Sequence, residues 1–192
     1  MKIHVGCGPI YLKHFINIDL LLPNHYLAKD RPDLVKKNIT TVKNYYKKDV
    51  TRQDILIRKF HHEEVVVDEY GQAEALRFPD NSLEEIRSVQ LFEHFSFEDG
   101  KKLLYHWCSR LKADGKVHID IPDLDDTIRL YNTDPIWATR LLFGSQKNEY
   151  GFHRSMYSRE RIKKLLLIVG FKKIKFSPNI HFYPAFAIEG TK

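Results

Sequence analysis

Residues 2–19 read KIHVGCGPIYLKHFINID and place two short apolar segments on either side of a glycine loop. The segment Lys2–Val5 is predicted to be a β-strand that runs directly into Gly6-Cys7-Gly8, and Phe15–Ile18 a strand that ends at Asp19. Glycines at a strand end permit a tight turn and let a ligand approach the backbone closely. A carboxylate after the next strand can accept hydrogen bonds from both hydroxyls of a ribose. This stretch therefore predicts a nucleotide-type site on an α/β sheet.

The spacing after the loop narrows the choice of nucleotide. A dinucleotide fingerprint reads G-x-G-x-x-G, but Tyr11 stands at the third glycine position. This argues against a pyrophosphate seated on a helix N-terminus. A ribose without a pyrophosphate favours an adenosyl cofactor over NAD.

Farther along the chain, predicted strands alternate with predicted helices, which is typical of an α/β sheet. The later strands are predicted at Glu64–Val67, Glu85–Leu91, Lys116–Ile121, Phe171–Phe176 and His181–Ile188. A hairpin between the last two leaves the final strand antiparallel in a mostly parallel seven-stranded sheet. Between the first two strands only Pro9 to Phe15 are available, so this connection must be a turn or a single helical turn.

Three helices are predicted from caps and apolar periodicity. Ser96 can cap the first, residues 125–143 are predicted to be helical with a break near Pro135, and Ser158 can cap a last helix that ends at Gly170. Residues 20–62 are polar and lysine-rich and are interpreted as an insertion of short helices within a single domain, residues 1–192.

Composition excludes several classes of protein. The chain has 192 residues, 43% of them hydrophobic, which argues against intrinsic disorder, and two cysteines, which exclude a disulfide framework. No apolar run approaches the roughly 18 residues of a membrane span, and no signal-peptide pattern is present, so a cytoplasmic protein is expected.

The positive charge is concentrated in one region. The net charge is +6, but residues 147–175 hold nine basic and two acidic residues, so this segment carries +7 and the remainder −1. A basic segment can hold the phosphates of a nucleic acid, although the stripe at residues 159–164 also fits the exposed face of an amphipathic helix.

Four motifs together resemble the class I S-adenosylmethionine-dependent methyltransferases, in the order in which that family carries them. They are His4–Pro9 with Asn17-Ile18-Asp19; Gln72–Ser82, which reads QAEALRFPDNS; Leu91-Phe92-Glu93-His94; and Arg110–Lys116, which reads RLKADGK. The segments Gly151-Phe152-His153-Arg154 and Val169-Gly170-Phe171 resemble a subgroup of predicted methyltransferases, some of them linked to cell-surface glycans.

The resemblance implies a Rossmann-like methyltransferase sandwich that binds S-adenosylmethionine and releases S-adenosylhomocysteine. Its motifs imply that Gly6, Cys7 and Gly8 pass under the methionine part and that Asp19 binds the ribose. They place Gln72 and Ala73 along the adenine, and Leu91, Glu93 and His94 beside the sulfonium. Gln72 stands where the family usually has an aspartate, so Asp68, a few residues earlier, is an alternative adenine contact.

His153 is predicted to be the catalytic base, since it follows a glycine in a polar stretch beyond the fifth strand. A hydrogen-bonded structural histidine is the alternative interpretation. Asp123, Tyr150 and Arg154 are candidate substrate contacts, and Cys7 is interpreted as a small buried side chain. No metal site is expected, because the run His61-His62-Glu63-Glu64 has no metal-ligand spacing.

The sequence thus predicts a methyltransferase acting on an oxygen of a small-molecule or glycan acceptor. One alternative is an RNA or DNA methyltransferase that uses residues 147–175. It is disfavoured, because Asp120-Ile121-Pro122-Asp123 stands where an amino-methylating enzyme would carry Asn-Pro-Pro-Tyr. A non-catalytic binding module with the same fold is the other alternative.

Overall fold

The first strand forms where the sequence predicts it. In the computed structural model, which describes residues 1–45, 64–177 and 181–192, strand β1 (Lys2–Val5) pairs in parallel with β3 (Ile16–Asp19). Strand β7 (Glu69–Tyr70) continues this sheet on the other side of β3. The chain forms two units, Met1–Arg77 and Phe78–Lys192, which are described in turn.

The connection from β1 to β3 contains no helix, as predicted. Gly6 and Gly8 adopt φ angles of 63° and 53°, and the amide of Ile10 donates to the carbonyl of Cys7 over 3.2 Å. After this turn comes only the two-residue strand β2 (Tyr11–Leu12). The left-handed conformations at the two glycines allow the chain to reverse within a few residues.

The buried side chain of Asn17 fixes this helix-free connection. Its Oδ1 accepts from the amide of Leu12 over 2.8 Å, and its Nδ2 lies 3.1 Å from the carbonyl oxygens of Leu12 and Phe15. The carboxylate of Asp68 accepts from both the backbone amide and the Nδ2 of Asn17. His4 donates through Nδ1 to Asn17 Oδ1 and accepts through Nε2 from the hydroxyl of Tyr45. One amide group thus ties β1, the turn and β3 together.

The first unit contains two further parallel strand pairs. Strand β2 pairs with β5 (Ile39–Thr40), and β4 (His25–Leu27) pairs with β6 (Val65–Val67); helix α1 spans Pro32–Asn38. The described part of residues 20–62 thus contains a short helix, as predicted, and also strands β4 and β5, which the prediction does not include. Residues 46–63, with Tyr46 and His61-His62-Glu63, lie outside the described residues.

The second unit contains strands β8 (Leu83–Val89), β9 (Leu111–Pro122), β10 (Lys172–Ser177) and β11 (Ala185–Thr191). Strands β8 and β9 are parallel, and β11 lies antiparallel between β9 and β10. The sheet has seven strands in all and is mostly parallel. This confirms the predicted fold class and the antiparallel final strand, which begins later than predicted, after Pro184. The predicted third strand Glu64–Val67 forms as β6, but it pairs with β4 in a separate sheet, and β7 is the strand that pairs with β3.

Two of the four α-helices described in the second unit begin at the predicted caps. Helix α2 (Phe97–Arg110) follows Ser96, whose hydroxyl accepts from the amide of Asp99. Helices α3 (Leu124–Tyr131) and α4 (Pro135–Phe143) are separated at the predicted break before Pro135. Helix α5 (Arg159–Val169) is capped by Ser158 and ends at Gly170. Among the described residues no helix has the length and apolar character needed to cross a membrane.

The basic segment covers the outer surface of α5 and the terminal strand of the sheet. On α5, Ile162 and Leu166 are buried while Lys163 and Lys164 are exposed, which confirms an amphipathic helix with a basic outer face. The guanidinium of Arg161 lies 3.5 Å from the ring centroid of Phe97, so this charge also packs on α2. Strand β10 is an edge strand of the sheet and exposes three lysines, whose charges discourage pairing with a strand of another molecule. The lysines are Lys172, Lys173 and Lys175.

The segment after α4 folds back on itself at Gly144. An isolated bridge joins Gly144 to Phe152, and the amide of His153 donates to the carbonyl of Phe143 over 3.2 Å. Gly144 has φ 76° and ψ −165°, a conformation that is essentially restricted to glycine. A Cβ at this position would lie 2.9 Å from the amide nitrogen of His153 and still closer to the carbonyl of Gly151. Gly144 therefore sets how closely His153 approaches the end of α4.

Replacing Asn17 with alanine is expected to lower the free energy of unfolding by about 3 kcal/mol or more, since several polar groups lose their partner at once. Urea denaturation followed by circular dichroism measures the loss. The matched control is Asn24→Ala, whose exposed side chain should change stability by no more than about 0.5 kcal/mol. Equal effects of the two substitutions would contradict the role given to Asn17.

Gly144→Ala is expected to destabilise the protein more than Gly170→Ala. Both glycines have positive φ angles, but a Cβ on Gly170 would meet no atom within 4 Å, so only backbone strain of about 1–2 kcal/mol is expected there. At Gly144 the steric overlap adds about 1–3 kcal/mol. The same denaturation experiment compares the two variants, and a Gly170→Ala variant as unstable as Gly144→Ala would disprove the close approach.

Candidate functional site

The glycine loop of the first unit is hydrogen-bonded to the carboxylate at the end of β3. The amide of Gly8 donates to Asp19 Oδ2 over 2.7 Å, and the amide of Leu20 donates to Asp19 Oδ1 over 2.8 Å. A carboxylate has about four lone-pair positions, so each oxygen keeps the capacity to accept a further donor. The structure thus brings the glycine loop and Asp19 together, and both oxygens of Asp19 keep capacity to accept a further hydrogen bond.

Cys7 lies inside this loop and is part of the core. It is 2% exposed and packs with Val65, Val67 and Leu27, which confirms that it is a small buried side chain. Burial, and to a smaller extent the charges of Asp19 and Asp68, raise the pKa of the Cys7 thiol well above its usual value. A thiol in this state is a poor nucleophile.

The two alternative adenine contacts have different surroundings. Asp68 accepts from the hydroxyl of Tyr11 over 2.5 Å and from two nitrogen atoms of Asn17, so three of its about four lone-pair positions are already used, against two for Asp19. Burial and the contact with Asp68 raise the pKa of Tyr11, which keeps this hydroxyl protonated as a donor. Gln72 is exposed at the start of a short 3₁₀ helix in which Ala73 is buried. These contacts favour Gln72 over Asp68 as a ligand-binding side chain.

In the second unit, a buried carboxyl group follows β8. Glu93 belongs to a 3₁₀ helix at Phe92–His94 and is 1% exposed. Among the described residues neither carboxyl oxygen has a hydrogen-bond partner. Burial, and to a smaller extent the charge of Asp120, raise the pKa of Glu93 to about 8. The carboxyl group is therefore largely protonated at neutral pH.

Two histidines lie beside Glu93. His153 donates through Nδ1 to the carbonyl of Leu141 over 2.6 Å, and its Nε2 lies 4.0 Å from Glu93 Oε1. His94 donates through Nδ1 to the carbonyl of Phe152 over 3.0 Å, and the two imidazole rings are nearly perpendicular with centroids 4.9 Å apart. Burial lowers the pKa of His94 and lowers that of His153 to about 4, so both rings are neutral at neutral pH. We call Glu93, His94 and His153 the Glu93 cluster.

Backbone hydrogen bonds hold the Glu93 cluster together. The carbonyl of Glu93 accepts from the amides of Arg154 and Ser155 over 2.9 and 3.1 Å, which fixes the segment that carries His153 against the 3₁₀ helix. All three side chains of the cluster are candidate site residues by sequence, but their proximity is not predictable from it, because Glu93 and His153 are 60 residues apart in the chain.

The predicted substrate residues are placed differently. Asp123 is 2% exposed and caps α3, accepting from the amides of Asp125 and Asp126 and from Arg159 Nε over 3.1 Å. These contacts occupy its carboxylate within the protein. Tyr150 and Arg154 are exposed and remain open to a ligand. Leu91 is partly buried at the start of the 3₁₀ helix.

A second buried pair, Asp120 and His181, was not found from the sequence. His181 Nε2 donates to Asp120 Oδ1 over 2.7 Å, and the same oxygen accepts from Gln90 Nε2 over 2.9 Å. The side chains of Asp120 and His181 are 1% and 4% exposed. The pair joins the carboxyl-terminal part of β9 to residues just before β11, and no local motif indicates such a long-range contact.

Comparison with known proteins gives matches in structure alone. No family model and no curated protein matches the sequence. All of this chain aligns with an S-adenosylmethionine-dependent methyltransferase of Methanosarcina mazei, covering 91% of that protein at 14% identity and a TM-score of 0.57. It also aligns over its full length with 81% of an S-adenosylmethionine-dependent methyltransferase of Thermotoga maritima (18% identity, TM-score 0.51). The full length of this chain also aligns with 50% of an O-methyltransferase family protein of Burkholderia thailandensis (11% identity, TM-score 0.55).

These matches agree with the topology of the sheet, in which the final strand is inserted antiparallel beside β10. Because the sequence identities are 18% or lower, the structural matches show that the chain shares the fold of these proteins. The resemblance found in the sequence motifs is thereby confirmed at that level: the chain has the fold of the S-adenosylmethionine-dependent methyltransferases.

Proposed function

We propose that this chain is an S-adenosylmethionine-dependent methyltransferase that methylates an oxygen of a small-molecule or glycan acceptor. The observation that carries the proposal is the turn at Gly6–Gly8 hydrogen-bonded to Asp19, within a fold that methyltransferases share. The four motifs in family order support the same cofactor. The oxygen acceptor is supported by the polar, exposed side chains of Tyr150 and Arg154 near a neutral histidine.

In this proposal each part of the cofactor has its own contacts in the first unit. Gly6, Cys7 and Gly8 lie under the methionine part, where the two glycines leave the backbone open to the cofactor and the side chain of Cys7 is buried in the core. Asp19 accepts from the two ribose hydroxyls with the lone pairs that Gly8 and Leu20 leave available. The adenine lies along Gln72 and Ala73. For the second unit, the contacts of Leu91, Glu93 and His94 with the methionine end stay predictions from the motif.

The chemistry requires alignment more than activation. The acceptor oxygen attacks the methyl carbon, the bond from that carbon to sulfur breaks, and S-adenosylhomocysteine leaves. Because the sulfonium is already activated, the protein contributes in-line alignment and exclusion of water. A hydroxyl acceptor must also lose its proton, and we assign this proton to His153 Nε2. That atom carries the free lone pair because Nδ1 donates to the carbonyl of Leu141.

Asp19→Asn tests the ribose contact. Loss of one acceptor and of the charge is expected to weaken S-adenosylmethionine binding about 10- to 100-fold, as for hydrogen bonds to a charged group. The retained amide oxygen can still accept from Gly8, whereas the amide of Leu20 loses its acceptor, so circular dichroism is used to check that the variant is folded. Calorimetric titration with S-adenosylmethionine measures the change, and Asp30→Asn, an exposed carboxylate of the same unit, is the control. Equal affinities of the Asp19→Asn variant and the unaltered protein would refute the ribose assignment.

His153→Ala separates catalysis from cofactor binding. The rate of S-adenosylhomocysteine formation, followed with a panel of simple glycosides and phenols, is expected to fall about 10²- to 10⁴-fold while the affinity for S-adenosylmethionine stays unchanged. His14→Asn, at an exposed histidine with a positive φ that asparagine tolerates, should leave both quantities unchanged. An undiminished rate in His153→Ala would remove the residue from the mechanism. If S-adenosylmethionine binds but no acceptor is methylated by the unaltered protein, the non-catalytic binding module is favoured instead.

A further inference from the structure

We propose that the Glu93 cluster binds a divalent transition-metal ion, with Zn²⁺ the ion that its donors match best. One donor atom from each of Glu93, His94 and His153 lies within 4.8 Å of the other two. No metal site is expected from the sequence, where only the run His61-His62-Glu63-Glu64 suggests one; the ligands of the Glu93 cluster come from two separate segments of the chain.

The distances describe a site slightly wider than its metal-bound form. In a tetrahedral zinc site with ligand bonds near 2.0–2.1 Å, neighbouring ligand atoms are about 3.3 Å apart. The atoms Nε2 of His153 and Oε1 of Glu93 are 4.0 Å apart. Closing this pair requires a contraction of about 0.7 Å, and a separation at the 4.8 Å limit of the cluster requires about 1.5 Å. Rotation of the Glu93 side chain can supply part of this movement, since its carboxyl group has no hydrogen-bond partner among the described residues.

Both histidines are held in the form that a metal requires. Each ring donates its Nδ1–H to a backbone carbonyl, that of Leu141 for His153 and that of Phe152 for His94. The proton is thereby placed on Nδ1, and Nε2 presents a lone pair. Metal-binding histidines characteristically donate their second ring nitrogen to a carbonyl or carboxylate, which orients the ring.

The carboxyl group of Glu93 is a second, independent observation. It is 1% exposed, and both of its oxygens lack a hydrogen-bond partner within the described ranges. A buried polar group without a partner is costly, and its presence in a well-packed region calls for an explanation. A cation between the carboxylate and the two imidazoles supplies the missing partner and favours the ionised carboxylate.

The donor set selects the type of ion. Two imidazole nitrogens and one carboxylate oxygen suit zinc and its transition-metal neighbours, whereas Mg²⁺ and Ca²⁺ prefer oxygen ligands. Two histidines and a glutamate also form the protein part of catalytic zinc sites, which leave a further position open to water or substrate. The expected ion is therefore Zn²⁺ with three protein ligands.

This inference goes beyond the proposed function and does not rest on it. The cation and the acceptor proton would use the same lone pair of His153, so the role of base applies to the metal-free protein. Metal affinity is measured without S-adenosylmethionine or any acceptor. Failure to bind metal leaves the methyl-transfer proposal standing, and failure of methyl transfer leaves the metal proposal standing.

The experiment titrates Zn²⁺ into protein freed of metal with a chelator, followed by calorimetry. One Zn²⁺ is expected to bind per chain. Loss of a residue that only hydrogen-bonds to a metal ligand lowers metal affinity about 10- to 100-fold. Because Glu93 and His153 are proposed as direct ligands, Glu93→Gln and His153→Ala should each weaken Zn²⁺ binding by more than about 100-fold. The control variant His61→Asn/His62→Asn removes the histidine pair that the sequence offers elsewhere and should bind Zn²⁺ as tightly as the unaltered protein. Thermal unfolding of each metal-free variant confirms that it is folded.

Cobalt provides a readout that needs no variant. Co²⁺ in the unaltered protein should give visible ligand-field absorption and paramagnetically shifted Nδ1–H resonances from two histidines. Undiminished Zn²⁺ affinity in both cluster variants, loss of affinity in the His61→Asn/His62→Asn control, or shifted resonances from fewer than two histidines would each overturn the proposal.

Discussion

The side chain of Asn17 takes the place of the helix that normally connects two parallel strands. Such a crossover usually needs a dozen or more residues, whereas β1 and β3 are joined by residues 6–15. Asn17 bonds to both backbone groups of Leu12 and is held in turn by Asp68. These bonds fix the end of β3, so that the next residue on the same face, Asp19, meets the amide of Gly8. The geometry of the glycine loop therefore depends on one buried amide.

The fold was largely predictable, because its signals are local. Alternating apolar residues, capping serines such as Ser96 and Ser158, and the glycine that ends α5 mark elements within a few residues of sequence. Strand β4 is not predicted from the sequence, because it depends on a long-range contact and not on a local signal. His25–Leu27 has only half-buried side chains and becomes a strand through its pairing with β6, some 40 residues farther on. Such pairing leaves no periodic pattern in a three-residue segment.

The identity of the candidate site residues can be predicted from the sequence, but the contacts between them cannot. The motifs indicate Asp19, Glu93 and His153 separately, because each follows a strand or a glycine in a recognisable pattern. Their partners are backbone groups or distant side chains: Gly8 for Asp19, and the carbonyl of Leu141 for His153. The pair of Asp120 and His181 is 61 residues apart and has no motif at all. Tertiary packing alone decides which of these groups meet.

The burial of Glu93 explains why the two proposed roles of His153 belong to one region. Burial raises the pKa of the Glu93 carboxyl group to about 8, and the group has no hydrogen-bond partner among the described residues. Such a group lowers the free energy of unfolding relative to an apolar side chain of similar volume. Natural sequences tolerate such conflicts mainly at functional positions. The neutral imidazoles beside it carry lone pairs whose direction is fixed by backbone carbonyls. Both proposals use the lone pair on Nε2 of His153, because its Nδ1 is engaged with the carbonyl of Leu141.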